Sequence, residues 1–373
     1  MDFDLTDEQR LLADTVTELL DKRYDANARL KLLESDLGWS RDMWQQYAQL
    51  GLLGLAVDEQ YGGAGMGTDE LSVVMGCFGR ALVLEPFLST VIVGAGLVAA
   101  AGTPEQKAEI LPHVADGSLL LAFAHTEPTS RWSLTDVSTL ATKDGKKWRL
   151  TGEKIAVAGA DTADRLIVSA HTTDGVGLFL VDGTDVTRAG YPMQDGVRGA
   201  DVRLHKAPAT MLGTTTDASE TIASVVEHAT VALCSEAVGA MDRMLWMTVD
   251  YLKTREQFGH PIAVFQALQF RAADMFVALE QARSMALLGR LALANDDAEE
   301  RQRIVHAAKA HIDLAARTIG QEAIQLHGGI GMTMEYPVGH YVKRTTVIAK
   351  TFADAATLIE RIAAGGGLFA AAR

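Results

Sequence analysis

The stretch QLHGGIG, Gln325 to Gly331, closes a long helical pattern with three glycines in four residues. A single glycine ends a helix routinely. This cluster leaves several backbone N–H groups bare at one spot, where a ligand can approach the chain closely. A second stretch, TREQFGHPIAVFQ from Thr254 to Gln266, breaks a helix with Gly259 and Pro261 and sets Arg255, Gln257 and Gln266 around the break. On spacing alone that is first of all a polar corner between two helices. A third stretch, AFAHTEP from Ala122 to Pro128, offers Phe123, His125 and Thr126 at a strand end.

Other chemistries find little footing. His306 and His311 are five residues apart, which turns the second ring away from the first on a helix. No carboxylate follows them in a ligand pattern, so a metal site is not expected. No Gly-x-Ser-x-Gly elbow is present. GGAGMG has the wrong spacing for a dinucleotide fingerprint and lacks its strand-turn-helix setting, so it reads as a loop. Cys77 and Cys234 lie in apolar helical patterns and read as buried core thiols. A formal net charge of -14 argues against a protein that grips nucleic acid.

The elements that must hold these stretches follow from periodicity. A chain of 373 residues exceeds one compact core, so two or three domains are expected. Residues 1–115 read as helices: Thr6 with Gln9 makes a capping box, and Leu12, Val16, Leu19 and Leu20 share one face. The run PFLSTVIVGAGLVAAAG after Glu85 begins with proline, holds three glycines and falls short of a membrane span, so a buried helix is expected. Residues 116–215 alternate instead. KKWRLTGEKIAVAGA, ADRLIVSAHTT and GVGLFLVDG are strand candidates, with hairpin signals at Asp144-Gly145 and Asp174-Gly175. Residues 216–373 return to helix, with one run from Ala218 to about Arg255, two more long runs and a fourth after Pro337, which suits an antiparallel four-helix bundle. The expected class is mainly α with an inserted β-domain. The acidic start, MDFDLTDEQR, is unlike a targeting segment, so a cytoplasmic location is expected.

Taken in order, LGLLGLAVDEQYGGAG, AFAHTEP, LTGEKIAVAGADTAD, YLKTREQFGHPIAVFQALQFRAADM and QLHGGIGMTMEYPVGHYVKR closely resemble the acyl-CoA dehydrogenase family over essentially the whole chain. Within it the chain is most similar to small subunits of the pimeloyl-CoA dehydrogenase type and to the β-like partners of actinobacterial heterotetramers. The resemblance implies an N-terminal helical domain, a middle β-barrel-like domain and a C-terminal four-helix bundle. It also implies FAD as cofactor, an acyl-CoA substrate and electron-transfer flavoprotein or a similar acceptor. The assembly implied is a homo- or hetero-oligomer, a dimer of dimers with another acyl-CoA dehydrogenase chain. By motif position, Phe123, His125 and Thr126 would border the isoalloxazine. Arg255, Gln257, Phe258 and Gln266 would meet the diphosphate and adenosine half across the dimer, and Gln325, Gly328 and Gly329 would lie against the adenosine-diphosphate portion.

The same resemblance implies a carboxylate that takes the α-proton of the thioester while hydride leaves the β-carbon. One usual place, about fifteen residues past EYP, falls on Phe352; the other, thirty residues before Gly259, falls on Ala229. Neither side chain accepts a proton. Glu236, seven residues beyond Ala229, shares its face but stands about 10 Å along the axis. Glu227 points elsewhere, and Asp354 sits in a less regular stretch. The glycine-serine-aspartate expected after TEP reads TSRWSLTD, and the aromatic and hydroxyl residues expected beside the flavin read Ala156 and Ala158. A partner subunit bearing the base is the first expectation. A self-sufficient homo-oligomer using Glu236 or Asp354 is the second, and a non-catalytic scaffold the third. The small residues near Ala229 and Gly239 suit either a roomy acyl pocket or close helix packing.

Overall fold

The computed structural model describes residues 5–145 and 147–367. Lys146, the first residue of one strand candidate, lies outside them, as do residues 1–4 of the acidic start. The first third is helical, with α1 (Asp7–Arg23), α2 (Ala26–Leu33), α3 (Arg41–Gln49), α4 (Thr68–Ala81), α5 (Ala95–Ala101) and α6 (Pro104–Ala115). Seven strands follow: β1 (Leu121–Ala124), β2 (Leu140–Asp144), β3 (Lys147–Ala158), β4 (Arg165–His171), β5 (Val176–Asp182), β6 (Thr187–Pro192) and β7 (Arg198–Met211). The chain then returns to helix in α7 (Ser219–Thr254), α8 (Gln266–Ala292), α9 (Ala298–His327), α10 (Val338–Ile348) and α11 (Ala355–Ala364). The class is therefore mainly α with one β-domain, as the periodicity requires. The capping box at Thr6 and Gln9 forms with both of its hydrogen bonds.

The chain gathers into two compact units, one of Leu30–Gly67 and Leu84–Ala229, the other of the residues through Arg29, Thr68–Val83 and Thr230 onward. In the first, the sheet closes on itself: β4 pairs with β5, β5 with β7, β7 with β3 and β3 with β2, and β2 returns to β4 through Leu140 opposite His171. β1 lies parallel to β4, and β6 antiparallel to β7. Closure leaves few free edges, and fully buried Leu150, Leu166, Val168, Phe179 and Val202 fill the interior. Both Asp-Gly signals fall in turns, with Gly145 at φ +63° and Gly175 at φ +155°. β7 escapes a period-two reading because Lys206 takes φ +52° and, with His205 also exposed, breaks the alternation there.

The membrane-like run is a buried helix whose first part, Leu88–Gly94, is π-helical before α5 continues it. It is pinned to the start of β1. Thr90 Oγ1 donates to Leu121 O (3.0 Å) and accepts from Leu121 N (3.2 Å), and a Cβ on Gly94 would stand 2.6 Å from Leu121 Cβ. The strand end that carries Phe123, His125 and Thr126 therefore starts from a fixed point.

In the second unit α9 packs against α8, α10 and α11, and α1 against α4. The segment expected as one fourth helix is two, because a turn at residues 349–354 separates α10 from α11. α7 is long and apolar enough to cross a membrane, but 72% of its apolar window is buried within the protein, as in a core helix. Its backbone touches α4 directly: a Cβ on Gly239 would collide with Gly76 O, and one on Gly79 with Glu236 O. Close helix packing thus accounts for Gly239. Gly239→Ala should destabilise by about 1–3 kcal/mol through overpacking, measured by urea unfolding; an unchanged midpoint would show that the crossing can open without cost.

Candidate functional site

β1 delivers Phe123 and His125 to one side of its end, where their rings stack at 5.2 Å and 22°. Beneath them lies Lys154 of β3, wholly buried. Its ammonium donates to His125 O (3.1 Å), Glu127 Oε1 (2.8 Å) and Ser169 Oγ (3.1 Å), which uses all three hydrogens. Glu127 also accepts from Ser138 N (2.6 Å), Thr139 N (2.9 Å) and Thr139 Oγ1 (2.6 Å). Burial works against its ionisation, yet the bonds from Lys154 and Thr139 hold the carboxyl down to about 2. Burial pushes Lys154 down to about 8, against the pull of Glu127. His125 is lowered to about 4 by burial and then by the Lys154 charge. Thr126 is exposed and its carbonyl accepts from Ile155 N (2.9 Å).

Two residues on, β3 bulges between Lys154 and Val157. Ala156 takes φ +50° there, exposed, and donates its N–H to Asp201 Oδ1 (3.0 Å), which also accepts from Tyr191 Oη (2.6 Å). The bulge is thus built, although Ala156 and Ala158 carry neither ring nor hydroxyl. Sequence reading missed Lys154, Glu127 and Ser169. The signal was present, since Lys154 is four residues from inward Leu150 and so shares its face of the strand.

In the second unit Tyr251, in the last turn of α7, lies 4.6 Å from the His327 ring, and Tyr336 lies 4.8 Å from it on another side. His327 is anchored by Ala323 O (2.7 Å) and Tyr336 Oη (3.1 Å). This cluster brings the corner after α7 close to the glycine loop, although about seventy residues separate them in sequence. Gly328 needs its residue type, since it takes φ +64°. Gly329 does not, having no positive φ and no atom within 4 Å of where a Cβ would stand. Its bareness serves nothing within the described residues. Arg255, Gln257, Phe258, Gln266 and Gln325 are all exposed, Phe258 at 88%. The Arg255 guanidinium has no hydrogen-bond or ion-pair partner among the described residues, while Gln257 turns back onto Glu256 O (2.8 Å).

The positions considered for a base are occupied differently. Ala229 is fully buried. Phe352, half-buried, takes φ +65°, an unusual conformation for a bulky residue. Glu236 is buried in a two-pronged pair with Arg344, Nε to Oε1 at 2.5 Å and Nη2 to Oε2 at 2.7 Å. Asp354 is the N-cap of α11, accepting from Thr357 N (3.0 Å) and Lys350 Nζ (2.8 Å). Those bonds, Lys350 first, pull its carboxyl down to about 2, which leaves it a weak base. Glu227 is buried. Among the described residues no three His, Cys, Asp or Glu side chains are grouped to hold a metal.

Comparison with known proteins fits this arrangement. The N-terminal, middle and C-terminal domain models of acyl-CoA dehydrogenases match residues 6–118, 122–205 and 220–362. The probable acyl-CoA dehydrogenase YngJ of Bacillus subtilis is 30% identical over 91% of this chain and 92% of its own. Among solved structures, the Tcur3481-Tcur3483 steroid ACAD is 30% identical with a TM-score of 0.87, covering 96% of this chain and 98% of that one. The ChsE4-ChsE5 complex of Mycobacterium tuberculosis is 25% identical with a TM-score of 0.90, covering 98% of each chain. With all three domain models matched in order and a relative aligned over nearly its whole length, this chain belongs to the acyl-CoA dehydrogenase family of FAD-dependent oxidoreductases.

Proposed function

We propose that this chain is a flavin-binding subunit of a heteromeric acyl-CoA dehydrogenase whose catalytic base resides on a different chain. The observation that carries this reading is the engagement of both nearby carboxylates: Glu236 by Arg344 and Asp354 by Lys350 and the α11 N-terminus. The names of two similar structures, Tcur3481-Tcur3483 and ChsE4-ChsE5, each join two components, and this supports the two-chain assembly. The small-subunit type suggested by the sequence is the form this assembly takes.

The residues present fit FAD. Gly329 offers bare, exposed backbone, and Arg255 an unpaired guanidinium suited to a diphosphate. Gln257, Phe258, Gln266, Gln325 and Gly328 would complete that half on behalf of a neighbouring subunit, while Phe123, His125 and Thr126 would border the ring system. Bound FAD supplies the acceptor for hydride leaving the β-carbon of the acyl thioester. The β1 end contributes a fixed aromatic edge, and the chain contributes no group that removes the α-proton. Electrons would then pass to an electron-transfer flavoprotein or similar acceptor.

Co-expression with a second, base-bearing acyl-CoA dehydrogenase chain tests this. The expected result is a stoichiometric complex that holds flavin and turns over an acyl-CoA with an artificial acceptor, while the chain alone does not. Turnover by the chain alone would overturn the proposal. In the complex, Arg255→Gln and Gly329→Ala should lower flavin content several-fold without moving the unfolding midpoint of the flavin-stripped protein, since both residues are exposed and Gly329 is unhindered. Flavin released on denaturation, measured by absorbance, gives the content.

A further inference from the structure

The hydrogen bonds around His125 form a chain whose direction can be worked out from both ends. At one end His125 Nε2 lies 3.2 Å from Ser133 O, and a carbonyl only accepts, so Nε2 carries a hydrogen. At the other end Lys154, which only donates, fills one lone pair of Ser169 Oγ at 3.1 Å. That hydroxyl lies 2.9 Å from His125 Nδ1 in a fully buried position. If Ser169 also accepted from the ring, its own hydrogen would be left without an acceptor and two cations would meet at one oxygen. Donation from Ser169 into Nδ1 satisfies every group.

We propose that Lys154 and Ser169 are positioning residues that lock His125 as the neutral Nε2–H tautomer, so that the end of β1 presents an uncharged plate of stacked Phe123 and His125 rings. The groups facing His125 are Lys154 from β3, Ser169 from β4, Ser133 from the following turn and Glu127 from its own segment; the Ser133 carbonyl and then Glu127 favour a charged ring, but that carbonyl is equally served by the neutral Nε2–H form and the Glu127 carboxylate is engaged by Lys154. Burial and then the Lys154 charge act in the same direction as the Ser169 hydrogen bond into Nδ1. What the plate would face rests on the proposed flavin reading; the state of the ring does not. A charged imidazole at this place would favour negative charge on whatever lies against it, and the lock removes that influence.

The full chain labelled with ¹⁵N-histidine tests the proposal by NMR, with His125 assigned by difference from His125→Gln. The expected spectrum shows one protonated nitrogen and one unprotonated Nδ1 throughout pH 5 to about 8, the range in which an ordinary histidine titrates. Ser169→Ala should abolish the single tautomer, and Ser169→Thr should restore it. Lys154→Met/Glu127→Gln, which removes the cation without stranding its partner, frees the Ser169 lone pair to accept from the ring and should make the Nδ1–H tautomer detectable. A charged ring or an Nδ1–H tautomer in the unaltered protein at pH 7 would refute the lock, as would a ring indifferent to both sets of variants. Because the readout needs no flavin, a locked His125 in a chain or complex that never retains flavin would uphold this inference while overturning the proposed function.

Discussion

Lys154→Met should destabilise the protein by about 3–5 kcal/mol at neutral pH, because it leaves the Glu127 carboxylate buried without its cation. Lys154→Met/Glu127→Gln should recover most of that loss. The two shifts explain why. Glu127 falls from 4.5 to about 2, and this contributes roughly 3 kcal/mol of stability, present above about pH 4.5 and lost as pH falls toward 2. Lys154 falls from 10.5 to about 8, so its charged form costs a similar amount below pH 8, and that cost is relieved as pH rises toward 10.5. Both shifts contain the one Lys154–Glu127 attraction, which offsets the burial of each charge only while both members are present, so either half alone is costly. Chemical denaturation of the single and double variants at pH 7 measures this; a double variant no more stable than Lys154→Met would show that the pair acts otherwise.

The second large effect is expected at α10. Arg344→Met strands the buried Glu236 of α7 and should cost about 3–5 kcal/mol, and Glu236→Gln/Arg344→Met should be much milder. The functional arm is sharper. If Glu236 removed the α-proton, Glu236→Gln would lower turnover of the assembled enzyme about 10²–10⁴-fold. On the reading proposed here, turnover per bound flavin stays within a few-fold of the unaltered complex, because the carboxylate is engaged by a guanidinium rather than by substrate. The same outcome is expected for Asp354→Asn, which keeps the α11 N-cap bond from Thr357 N and removes only the charge facing the exposed Lys350. Steady-state assay of both complexes, normalised to flavin, decides; a collapse in either would place the base on this chain.

The glycine loop and the corner after α7 show how far local pattern reaches. Gly328 and Gly329 are visible in the sequence as a cluster, and Arg255 as a charge at a helix break. Only the structure separates the two glycines: one is demanded by a positive φ, and the other by no neighbour among the described residues. The rings of Tyr251, His327 and Tyr336 that bring loop and corner close were equally out of reach, because such contacts leave no periodic trace.

The sequence by itself determined the helical stretches and three of the strands, since hydrophobic period distinguishes helix from strand wherever one face is buried. It also determined the turns at Gly145 and Gly175, the Thr6 cap and the family, through motifs whose order spans the chain. Tertiary structure alone decided what the charged side chains do. Glu236, Asp354, Glu127 and Lys154 are ordinary acids and bases in a linear reading, and each is assigned by a partner brought to it by folding: Arg344 from 108 positions away, Lys350 and the α11 N-terminus, and the Lys154–Glu127 contact across 27 positions. A carboxylate's chemistry depends on burial and on the charges within a few ångströms of it, and those distances are set by packing rather than by neighbours in the chain.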